Sequence, residues 1–596
     1  MTQMKEVITD LIKTALKELN IDPSGVSFNL EHPEVLSHGD YASNVALVAA
    51  KIAKKNPVEL AKQIVEVLNK NKGKEISKIE TAGPGFINFG LDKEFFSDSV
   101  NKIITDDKTF GQNSQNKDKN ILIEYTDPNP FKQFHIGHLM SNAIGESVSR
   151  LLNSSGAKIT RACYSGDVGL HVAKAIWGYR KLDQYLNEKK RKVLVYDNEL
   201  VIIDHKDEVA FWGMAYAFGS SEYENDEESK KEIDLLNKEI FVGISAETKK
   251  LFEAGKKVSV EHFNEIYKTL DTKFDKQFFE SEMVNRGLEI VKKGLEAGIF
   301  EQSDGAIIFK GEKYDAKLHT RVFINSHGVP TYETKELALN EKKFELFPNT
   351  DLSIIVTANE QSEYFKVVLK ALSLTDPEIA KKTKHISHGM LRFASGKMSS
   401  RKGNVVTGES LIKDVQEKVL EKIKDRDLPQ SDKQEIADIV SVGAIKYSIL
   451  KSAPGSDIIF DFDKSISFEG DSGPYLQYSC VRAAAILEKA NKEAVLYFPR
   501  LGQGGVASRR DGVVGLERLL YRFPEVVERA GVEYAPHYLA LYLTQLASEF
   551  STFYAQGKIV DINDPNSPYK IAITQAFLII MQNGLNLLGI KIPKRM

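Results

Sequence analysis

Short apolar runs and helical apolar spacing alternate in the middle of this chain. Residues 120–125 are mostly apolar and predict a buried strand, which Asp127-Pro128-Asn129-Pro130 interrupts. Apolar residues then recur at helical spacing from 139 to 152, and residues 158–164 predict a second strand. A strand, a helix and a strand at this spacing predict a βαβ unit of a parallel sheet. Its ligand site is expected at the carboxyl end of the first strand, beside the helix N-terminus.

The same patterns divide the chain into predicted domains. Residues 1–105 alternate helical and strand-like patterns and predict an α+β domain, while residues 106–119 are poor in apolar residues and predict a linker. A nucleotide-binding, Rossmann-like parallel-sheet domain is predicted for residues 120–465, with a highly charged helical insertion at about 178–300. Residues 466–596 are helical in pattern. The predicted fold class is therefore α/β, with an α+β domain before the sheet and an all-helical domain after it.

Composition narrows the function only slightly. The 596 residues are 42% hydrophobic and carry a formal net charge of −3, so any nucleic-acid surface must be a local basic patch. The two cysteines, Cys163 and Cys480, cannot form a cysteine-rich zinc site or a disulfide framework, so we expect no resident metal centre and a cytoplasmic location. Residues 1–20 are amphipathic with both charge signs, which differs from a signal peptide. No apolar run is long enough to predict a membrane span.

A histidine motif lies where the first predicted strand gives way to the predicted helix. His135-Ile136-Gly137-His138 places two imidazoles at the positive end of the helix dipole, where they could donate hydrogen bonds to phosphate oxygens. Gly137 would let a nucleotide base or ribose approach the backbone closely. The competing interpretation is that the two histidines cap the helix for structural reasons alone.

A second motif follows some 260 residues later in a loop rich in Gly, Ser, Lys and Arg. Lys397-Met398-Ser399-Ser400-Arg401-Lys402 lies between Gly396 and Gly403. Its cations can fold over a triphosphate and meet the charge that builds on departing pyrophosphate, and a mobile loop suits that task. Alone it could be a solvated basic loop. The two motifs together predict an ATP site that activates a carboxylate by adenylation.

Further sequence blocks resemble one family. They are GDYASNVAL at 39–47, AGPGFINF at 82–89, YSGDVG at 164–169, GKMSSRKGNVV at 396–406 and GPYLQY at 473–478 with Arg482. In this order and over nearly the full length, the chain resembles the class I aminoacyl-tRNA synthetases, specifically the arginyl-tRNA synthetase family. The resemblance implies an arginine–tRNA ligase with an N-terminal domain that contacts the tRNA elbow and a C-terminal helical anticodon-binding domain.

The resemblance also implies an arginine pocket. Its residues are Glu124, Asn129, Tyr332, Glu336 and Gln361. An arginine side chain presents a charged, planar fork of donors, so its pocket needs carboxylates. We expect Glu124 or Glu336 to bind the guanidinium, and the other acid with Asn129 to orient the α-amino group; which acid does which stays open. Taken alone, Glu336 would be interpreted as a solvated helix position.

The implied reaction has two steps. The carboxylate of L-arginine attacks the α-phosphorus of ATP, and a ribose hydroxyl of the 3′-terminal adenosine of tRNA(Arg) then attacks the arginyl-adenylate. Catalysis is positioning and charge stabilisation by His135, His138, Lys397, Arg401 and Lys402 with Mg²⁺, while Gly137 and Met398-Ser399-Ser400 complete the ATP site. The family resemblance also implies that tRNA must be bound before the first step.

Contacts to tRNA are expected from exposed aromatic residues, because unstacked bases bind on aromatic platforms. The resemblance suggests Tyr475, Tyr478, Tyr554 and Met596 for the anticodon, and Tyr41 and Asn44 for the elbow. The competing interpretation is that these tyrosines belong to the core. We expect the protein to act as a monomer.

Several positions depart from the family pattern. Arg401 stands where the second lysine of the motif is usual, Met140 replaces a frequent arginine, and Glu336 replaces an aspartate. Thr126-Asp127 replaces a typical Ser-Ser pair.

Two alternative functions compete with the arginine assignment. One is another class I synthetase: a cysteinyl enzyme would need zinc ligands, and glutamyl or glutaminyl enzymes have different C-terminal domains. The other is a catalytically silent tRNA-binding paralogue, which would not need to keep His135, His138 and Lys397.

Overall fold

The computed structural model of the chain describes residues 4–33, 35, 38–189, 193–196, 199–202, 207–243, 245–394, 407–497 and 515–596. The chain forms two compact units. The first contains Met1–Asn113, Tyr478–Arg529 and Leu541–Gly584. The second contains Ser114–Gln477, Ala530–Ala540 and Leu585–Met596.

The N-terminal part of the first unit is an antiparallel sheet packed on helices. Its elements are α1 (Met4–Glu18), β1 (Leu30–Glu31), β2 (Tyr41–Ser43), α2 (Val45–Ala53), α3 (Pro57–Asn71), β3 (Ile76–Ala82), β4 (Phe86–Leu91) and α4 (Lys93–Asp106). The strand order is β1-β2-β4-β3. Ile8, Ile12 and Leu16 recur at helical spacing on α1 and are fully buried, so the amphipathic pattern of the sequence forms one face of this core.

The second unit is built on a five-stranded parallel sheet. Its elements, in chain order, are β5 (Asn120–Glu124), α5 (Ile136–Ser154), β6 (Lys158–Ser165), α6 (Leu170–Lys189), β7 (Val193–Tyr196), β8 (Glu199–Ile202), α7 (Glu208–Asn225), α8 (Glu227–Val242), α9 (Ala246–Thr269), β9 (Lys276–Phe279), α10 (Glu280–Glu296), β10 (Glu301–Ser303), β11 (Ala306–Lys310), β12 (Thr320–Ile324), α11 (Tyr332–Leu346), β13 (Leu352–Ala358), α12 (Ser362–Thr375), α13 (Pro377–Lys381), β14 (Thr383–His388), β15 (Leu391–Phe393), α14 (Gly408–Lys422), α15 (Gln430–Leu450), β16 (Ile458–Phe460) and α16 (Phe462–Ser465). The predicted βαβ unit is confirmed as β5, α5 and β6.

The strand order of the parallel sheet fixes where a ligand can bind. The order is β14-β13-β5-β6-β9, so the chain runs outward from β5 on one side and returns to β13 on the other. A crevice opens at the carboxyl ends of neighbouring strands where the order reverses. Here that point lies between β5 and β13, which pair in parallel from Leu352↔Ile121 to Ile355↔Glu124.

Strands also occur where the sequence predicted only helix. Within the interval predicted as a helical insertion, β9 pairs with β6 as the edge of the parallel sheet. The inserted helices α7, α8 and α9 therefore end before β9, and the predicted end of the insertion near residue 300 is too late. The short stretch Lys276–Phe279 mixes charged and aromatic residues, so its two-residue period is too brief to stand out against the helices around it. The antiparallel strands β10, β11 and β12 follow α10.

The described residues after α16, 466–497 and 515–596, are mainly helical, as predicted. The helices are α17 (Gly473–Tyr497), α18 (Gly515–Leu520), α19 (Phe523–Val532), α20 (His537–Ala555) and α21 (Ser567–Leu587). Within the first unit, Tyr521 joins the core of the N-terminal sheet and touches Phe95 and Phe96 edge-on. Among the helices that the structure describes, none combines the length and apolarity of a membrane span.

Candidate active site

A cavity of about 730 Å³ opens at the predicted switch point of the parallel sheet. Its walls come from the turn after β5, the first turn of α5, the ends of β13 and β14, and the strand β15. The residues that the sequence analysis assigned and that line this cavity are Asn129, His135, Gly137, His138 and Gln361. The volume suits a nucleotide with a small substrate beside it.

The histidine motif forms the cap of helix α5. His135 is the N-cap residue, and its Nδ1 accepts a hydrogen bond from Gly137 N at 3.1 Å. His138 reciprocates, because its Nδ1 accepts from His135 N at 3.2 Å. The two rings stack with centroids 3.5 Å apart. The structural interpretation of these histidines is thus correct for Nδ1, and it leaves the Nε2 atoms of both rings as the donors that a ligand in the cavity could use.

Both imidazoles are held in the neutral form. Burial lowers the pKa of His135, and the nearby charge of Lys132 lowers it further. Burial also lowers the pKa of His138 well below its usual value, with smaller contributions from His135 and Lys132. Neutral rings whose Nδ1 accepts must carry their proton on Nε2. The first turn therefore offers two fixed N–H donors.

Gly137 serves this stack as well as the cavity. A Cβ atom at residue 137 would lie 3.0 Å from Cε1 and 3.1 Å from Nδ1 of His135. A larger residue would require the His135 ring to shift by a few tenths of an ångström, so the close approach of the imidazole favours glycine here.

Backbone strain is concentrated in the turn that leads to α5. Thr126, Asp127 and Phe131 have φ values of 84°, 49° and 68°, which non-glycine residues rarely adopt. Side chains hold the turn in place: Asp127 Oδ1 accepts from Tyr164 N at 2.7 Å, and Thr126 N donates to Ser141 Oγ at 3.0 Å. Strain of this kind persists where the surrounding structure fixes it, and it is found preferentially at functional sites.

A cluster of buried acids lies behind the turn. Glu124, the last residue of β5, is 2% exposed, and its Oε2 forms an ion pair with Lys343 Nζ at 2.7 Å. Glu336, on the same helix as Lys343, is also buried and accepts a hydrogen bond from Asn340 Nδ2 at 3.1 Å. Burial raises the pKa of Glu336 to about 8, and repulsion from Glu124 adds to the shift. Burial and Glu124 likewise raise the pKa of Asp127. A cation bound here would relieve the repulsion.

Sequence reasoning missed the basic partners of this region. Lys343 and Lys335 lie on α11, and Lys335 forms a buried ion pair with Glu280, the first residue of α10. Asp167 is completely buried and pairs with Lys256 Nζ at 2.7 Å, while Ser281 donates to it from both N and Oγ. Each pair joins residues far apart in the chain, so no local pattern could have predicted it.

The remaining predicted pocket residues differ in exposure. Tyr332 begins α11 and is 59% exposed, with Lys335 Nζ lying 4.6 Å from its ring centroid. Asn129 lies close to Gly166, since a Cβ atom at residue 166 would be 2.3 Å from Asn129 Oδ1. Gln361 ends a short 3-10 turn after β13. Asn129 and Gln361 thus line the cavity, whereas Tyr332 is not among its lining residues.

The second motif, residues 397–402, lies outside the described residues, but the segments before and after it are described. Leu391 and Phe393 of β15 line the cavity. On the other side, Thr407 forms a β-bridge with His135, and Gly408 N donates to Phe134 O at 2.7 Å. The described residue segment before the motif therefore lies at the cavity, and the one after it lies beside the histidine motif.

The residues predicted to contact tRNA fall into different environments. In the first unit, Cζ of Arg482 lies 4.7 Å from the ring centroid of Tyr478 and 5.1 Å from that of Tyr554. Tyr554 is 44% exposed. In the second unit, Tyr475 is half-buried and Met596 packs against the apolar cluster around α14 and α15.

The structure contradicts one predicted tRNA contact. Tyr41 is completely buried, and its hydroxyl donates to Glu525 within the same unit. It is a core residue of β2, where strand alternation turns it inward. Asn44 is half-buried, and its Oδ1 accepts from Asn29 N at 2.8 Å, so its amide oxygen already has a structural partner.

This sheet order, with the capped histidine motif and a nucleotide-sized cavity at the switch point, defines the catalytic domain of a class I aminoacyl-tRNA synthetase. The family model for the class I (R) tRNA synthetase catalytic domain matches residues 99–462. The model for the arginyl-tRNA synthetase N-terminal domain matches residues 6–91, and that for the DALR anticodon-binding domain matches residues 476–596. The chain belongs to the arginyl-tRNA synthetase family.

Relatives of this family align over the whole chain. An arginine–tRNA ligase of Borrelia hermsii is 30% identical, with 100% of each chain covered. That of Treponema denticola is also 30% identical, with 98% of each chain covered. The solved arginyl-tRNA synthetases of Thermus thermophilus and Plasmodium falciparum have the same fold, with TM-scores of 0.78 and 0.74 at 22% and 20% identity and full coverage of both chains. The chain is an arginine–tRNA ligase that consumes ATP, and no finding favours a silent paralogue.

Proposed function

We propose that the cavity holds ATP against the first turn of α5 while arginine lies toward the buried acids. The observation that carries this proposal is the capped pair His135 and His138. Both residues line the cavity, and their Nδ1 atoms already accept backbone hydrogen bonds, which leaves the neutral Nε2–H groups as donors for a ligand. Neutral donors suit a polyanion whose charge is matched elsewhere by cations. Gln361 and Asn129, which line the same cavity, would hold the amino-acid end of the reactants.

We propose that Glu336 is the acid that binds the guanidinium. Glu124 already forms a buried ion pair with Lys343, whereas Glu336 accepts a hydrogen bond from the neutral amide of Asn340 and is repelled by Glu124. The charge of Lys343 also lowers the pKa of Glu336, but burial and Glu124 together outweigh it. A guanidinium would supply a positive charge beside this carboxylate and would stabilise its ionised form. Glu124 would then set the position of Lys343 and the local negative potential, and Tyr332 would close the exposed side.

The charge on departing pyrophosphate would be met by the second motif. In this proposal Lys397, Arg401 and Lys402 stabilise the transition state, while Met398, Ser399 and Ser400 contact the nucleotide. Support comes from β15 and Thr407, which bring the chain to the cavity on either side of the motif. Lys132 would add a further cation, since its charge already acts on His135 and His138.

Mg²⁺ would enter with ATP. Among the described residues no group of three or more His, Cys, Asp or Glu is placed to hold a metal ion. We therefore propose a magnesium ion that is held chiefly by phosphate oxygens and water, as is usual for this ion. Its chemistry would be to neutralise charge on the phosphates during transfer.

For tRNA, we propose that Tyr478, Tyr554, Tyr475 and Met596 contact the anticodon. Tyr554 carries this assignment best, because it is exposed and lies beside Arg482. Asn44 remains the proposed elbow contact.

We also propose an N-terminal domain at 1–105, a linker at 106–119, a catalytic domain at 120–465 and a helical domain at 466–596. The helical insertion of the catalytic domain, predicted at about 178–300, would end before β9. We propose that the protein acts as a monomer in the cytoplasm. The compartment is supported by Cys163 and Cys480, which are buried free thiols.

The test is arginine-dependent exchange of pyrophosphate into ATP with and without tRNA(Arg). We expect exchange only when tRNA is present, and a Lys397→Ala variant that loses about 10²- to 10³-fold in kcat, the usual cost of removing one transition-state donor. Glu333→Gln serves as a control for charge loss on α11, because the carboxylate of Glu333 is already paired with Arg321 at 2.8 Å. Equal exchange without tRNA would refute the tRNA requirement, and an active Lys397→Ala variant would refute the role of the motif.

A further inference from the structure

The turn after helix α21 is held by side chains from three other helices. We call residues 586–591 the clasp segment. Helix α21 ends at Leu587, so its last carbonyl groups lack partners within the helix. Four carbonyls of the clasp segment accept side-chain hydrogen bonds: Asn586 O from Arg150 Nη1 at 3.0 Å, Leu587 O from Ser147 Oγ at 3.0 Å, Gly589 O from Lys446 Nζ at 2.8 Å and Lys591 O from Gln477 Nε2 at 2.7 Å. Two of these donors, Ser147 and Arg150, lie on α5, the helix that carries the histidine motif.

Arg150 has every donor of its guanidinium engaged. Nε donates to Glu146 Oε1 at 2.7 Å, Nη1 donates to both O and Oδ1 of Asn586, and Nη2 donates to both O and Oδ2 of Asp271. A guanidinium has five N–H groups in a fixed plane, so these bonds hold the Arg150 side chain against Glu146, Asn586 and Asp271 together. The side chain is 17% exposed, which limits competition from water.

On its other side, Glu146 continues the contacts toward the substrate pocket. It accepts from Arg161 Nε at 2.9 Å and from the Tyr125 hydroxyl at 2.6 Å. Tyr125 directly follows Glu124 in the chain, and its ring is completely buried. A continuous set of hydrogen bonds therefore runs from Asn586 through Arg150 and Glu146 to the residue next to the buried acid pair.

The clasp also includes a buried amine. Lys446 is 1% exposed, and its Nζ bridges Gly589 O to Leu270 O, the latter at 2.6 Å. Gly589 has a φ of 66°, and a Cβ there would lie 3.1 Å from Lys446 Nζ. The segment thus has little freedom to shift without breaking these bonds.

We propose that Arg150 is a positioning residue through which the clasp segment fixes helix α5, and so couples tRNA binding to arginine activation. The inference rests on the proposed function, in which His135 and His138 act from the first turn of α5. Residues 476–596, which include the clasp segment, match the anticodon-binding domain model. Residue 150 lies twelve positions after His138, which is about 18 Å along a rigid helix, so a shift of the clasp would move the donors at the other end.

The test is Arg150→Met in the full chain, with Arg161→Met as the matched control. Both arginines donate to Glu146, but Arg161 does so from β6. We expect Arg150→Met to lose about tenfold in kcat for tRNA-dependent pyrophosphate exchange, while KM for ATP and arginine and the affinity for tRNA change less than twofold. Arg161→Met should keep its kcat within about threefold. Ser147→Ala, which removes only the bond to Leu587 O, should lower kcat about threefold and tests the same idea if Arg150→Met does not fold.

The possible results separate the positioning role from the proposed function. Equal losses of kcat in the two arginine variants would assign the effect to Glu146 and overturn the proposal. A loss expressed only in KM, or unchanged kcat in both Arg150→Met and Ser147→Ala, would overturn it as well. If the parent enzyme exchanges pyrophosphate equally well without tRNA, the tRNA requirement of the proposed function fails, while the kcat of Arg150→Met still reports on the position of α5.

Discussion

Replacing Glu336 by glutamine removes the charge proposed to bind the guanidinium. The change keeps the shape of the side chain and its hydrogen bond from Asn340. It also removes the repulsion with Glu124, so the variant should fold at least as well as the parent. Any loss of arginine affinity can then be assigned to the missing charge.

The expected loss follows from the kind of bond. Charge-assisted hydrogen bonds contribute about 1.5–3 kcal/mol, which corresponds to about 10- to 150-fold in KM for arginine. The pKa of Glu336 is raised to about 8, so part of this energy is spent on ionising the acid at neutral pH. The fraction ionised falls about tenfold per pH unit below that value, and KM of the parent should therefore fall as the pH rises toward 8 and then level off.

The assay is arginine-dependent pyrophosphate exchange in the presence of tRNA, measured from about pH 6.5 to 8.5. We expect KM of Glu336→Gln to be higher and independent of pH, and the variant to discriminate poorly between arginine and its neutral analogue citrulline. Glu333→Gln, on the same helix, should behave like the parent. Unchanged KM and unchanged discrimination in Glu336→Gln would refute the assignment and point to Glu124.

Two further predictions concern buried groups. His135→Asn keeps an acceptor near the Nδ1 position but has no donor at the Nε2 position. We therefore expect a folded protein with kcat about 10²- to 10³-fold lower, and partial recovery of kcat in His135→Gln. A fully active His135→Asn variant would exclude the role of Nε2. The pKa of Lys446 is lowered to about 7, chiefly by burial and then by Arg150, with Lys591 adding to the shift and Glu146 and Asp271 opposing it. Between that pH and the usual lysine value the unfolded chain binds the additional proton, so stability should increase with pH. Relative to Lys446→Met, denaturant unfolding should show a gain of up to about 1.4 kcal/mol per pH unit between about pH 7.5 and 9.5, and a flat difference would show that Lys446 is not buried as described.

Local pattern was sufficient for the elements that hold the nucleotide. The strand β5, the helix α5 and the strand β6 follow from their apolar spacing, because each is long enough to show one period clearly. The histidine motif was predicted for the same reason, since its position at a strand-to-helix turn is itself a local feature. The short edge strand β9 was missed because four residues among long helices show no clear period.

Contacts between distant parts of the chain could not be predicted. The sequence named Glu124 and Glu336 but gave no indication that Lys343 forms an ion pair with the first of them. Tyr41 was predicted to contact tRNA from its motif, yet it is a buried residue of β2 whose hydroxyl donates to Glu525. Such pairings depend on the packing of elements far apart in sequence.

The central claim is that this chain attaches arginine to tRNA through the cavity at the end of β5 and the basic loop at 397–402. The most direct measurement is the charging of total tRNA with each of the twenty amino acids, by the parent and by Lys397→Ala. We predict charging with arginine alone, reduced about 10²- to 10³-fold in the variant. Charging with no amino acid despite measurable tRNA binding, or arginine charging that is unchanged in Lys397→Ala, would contradict this account.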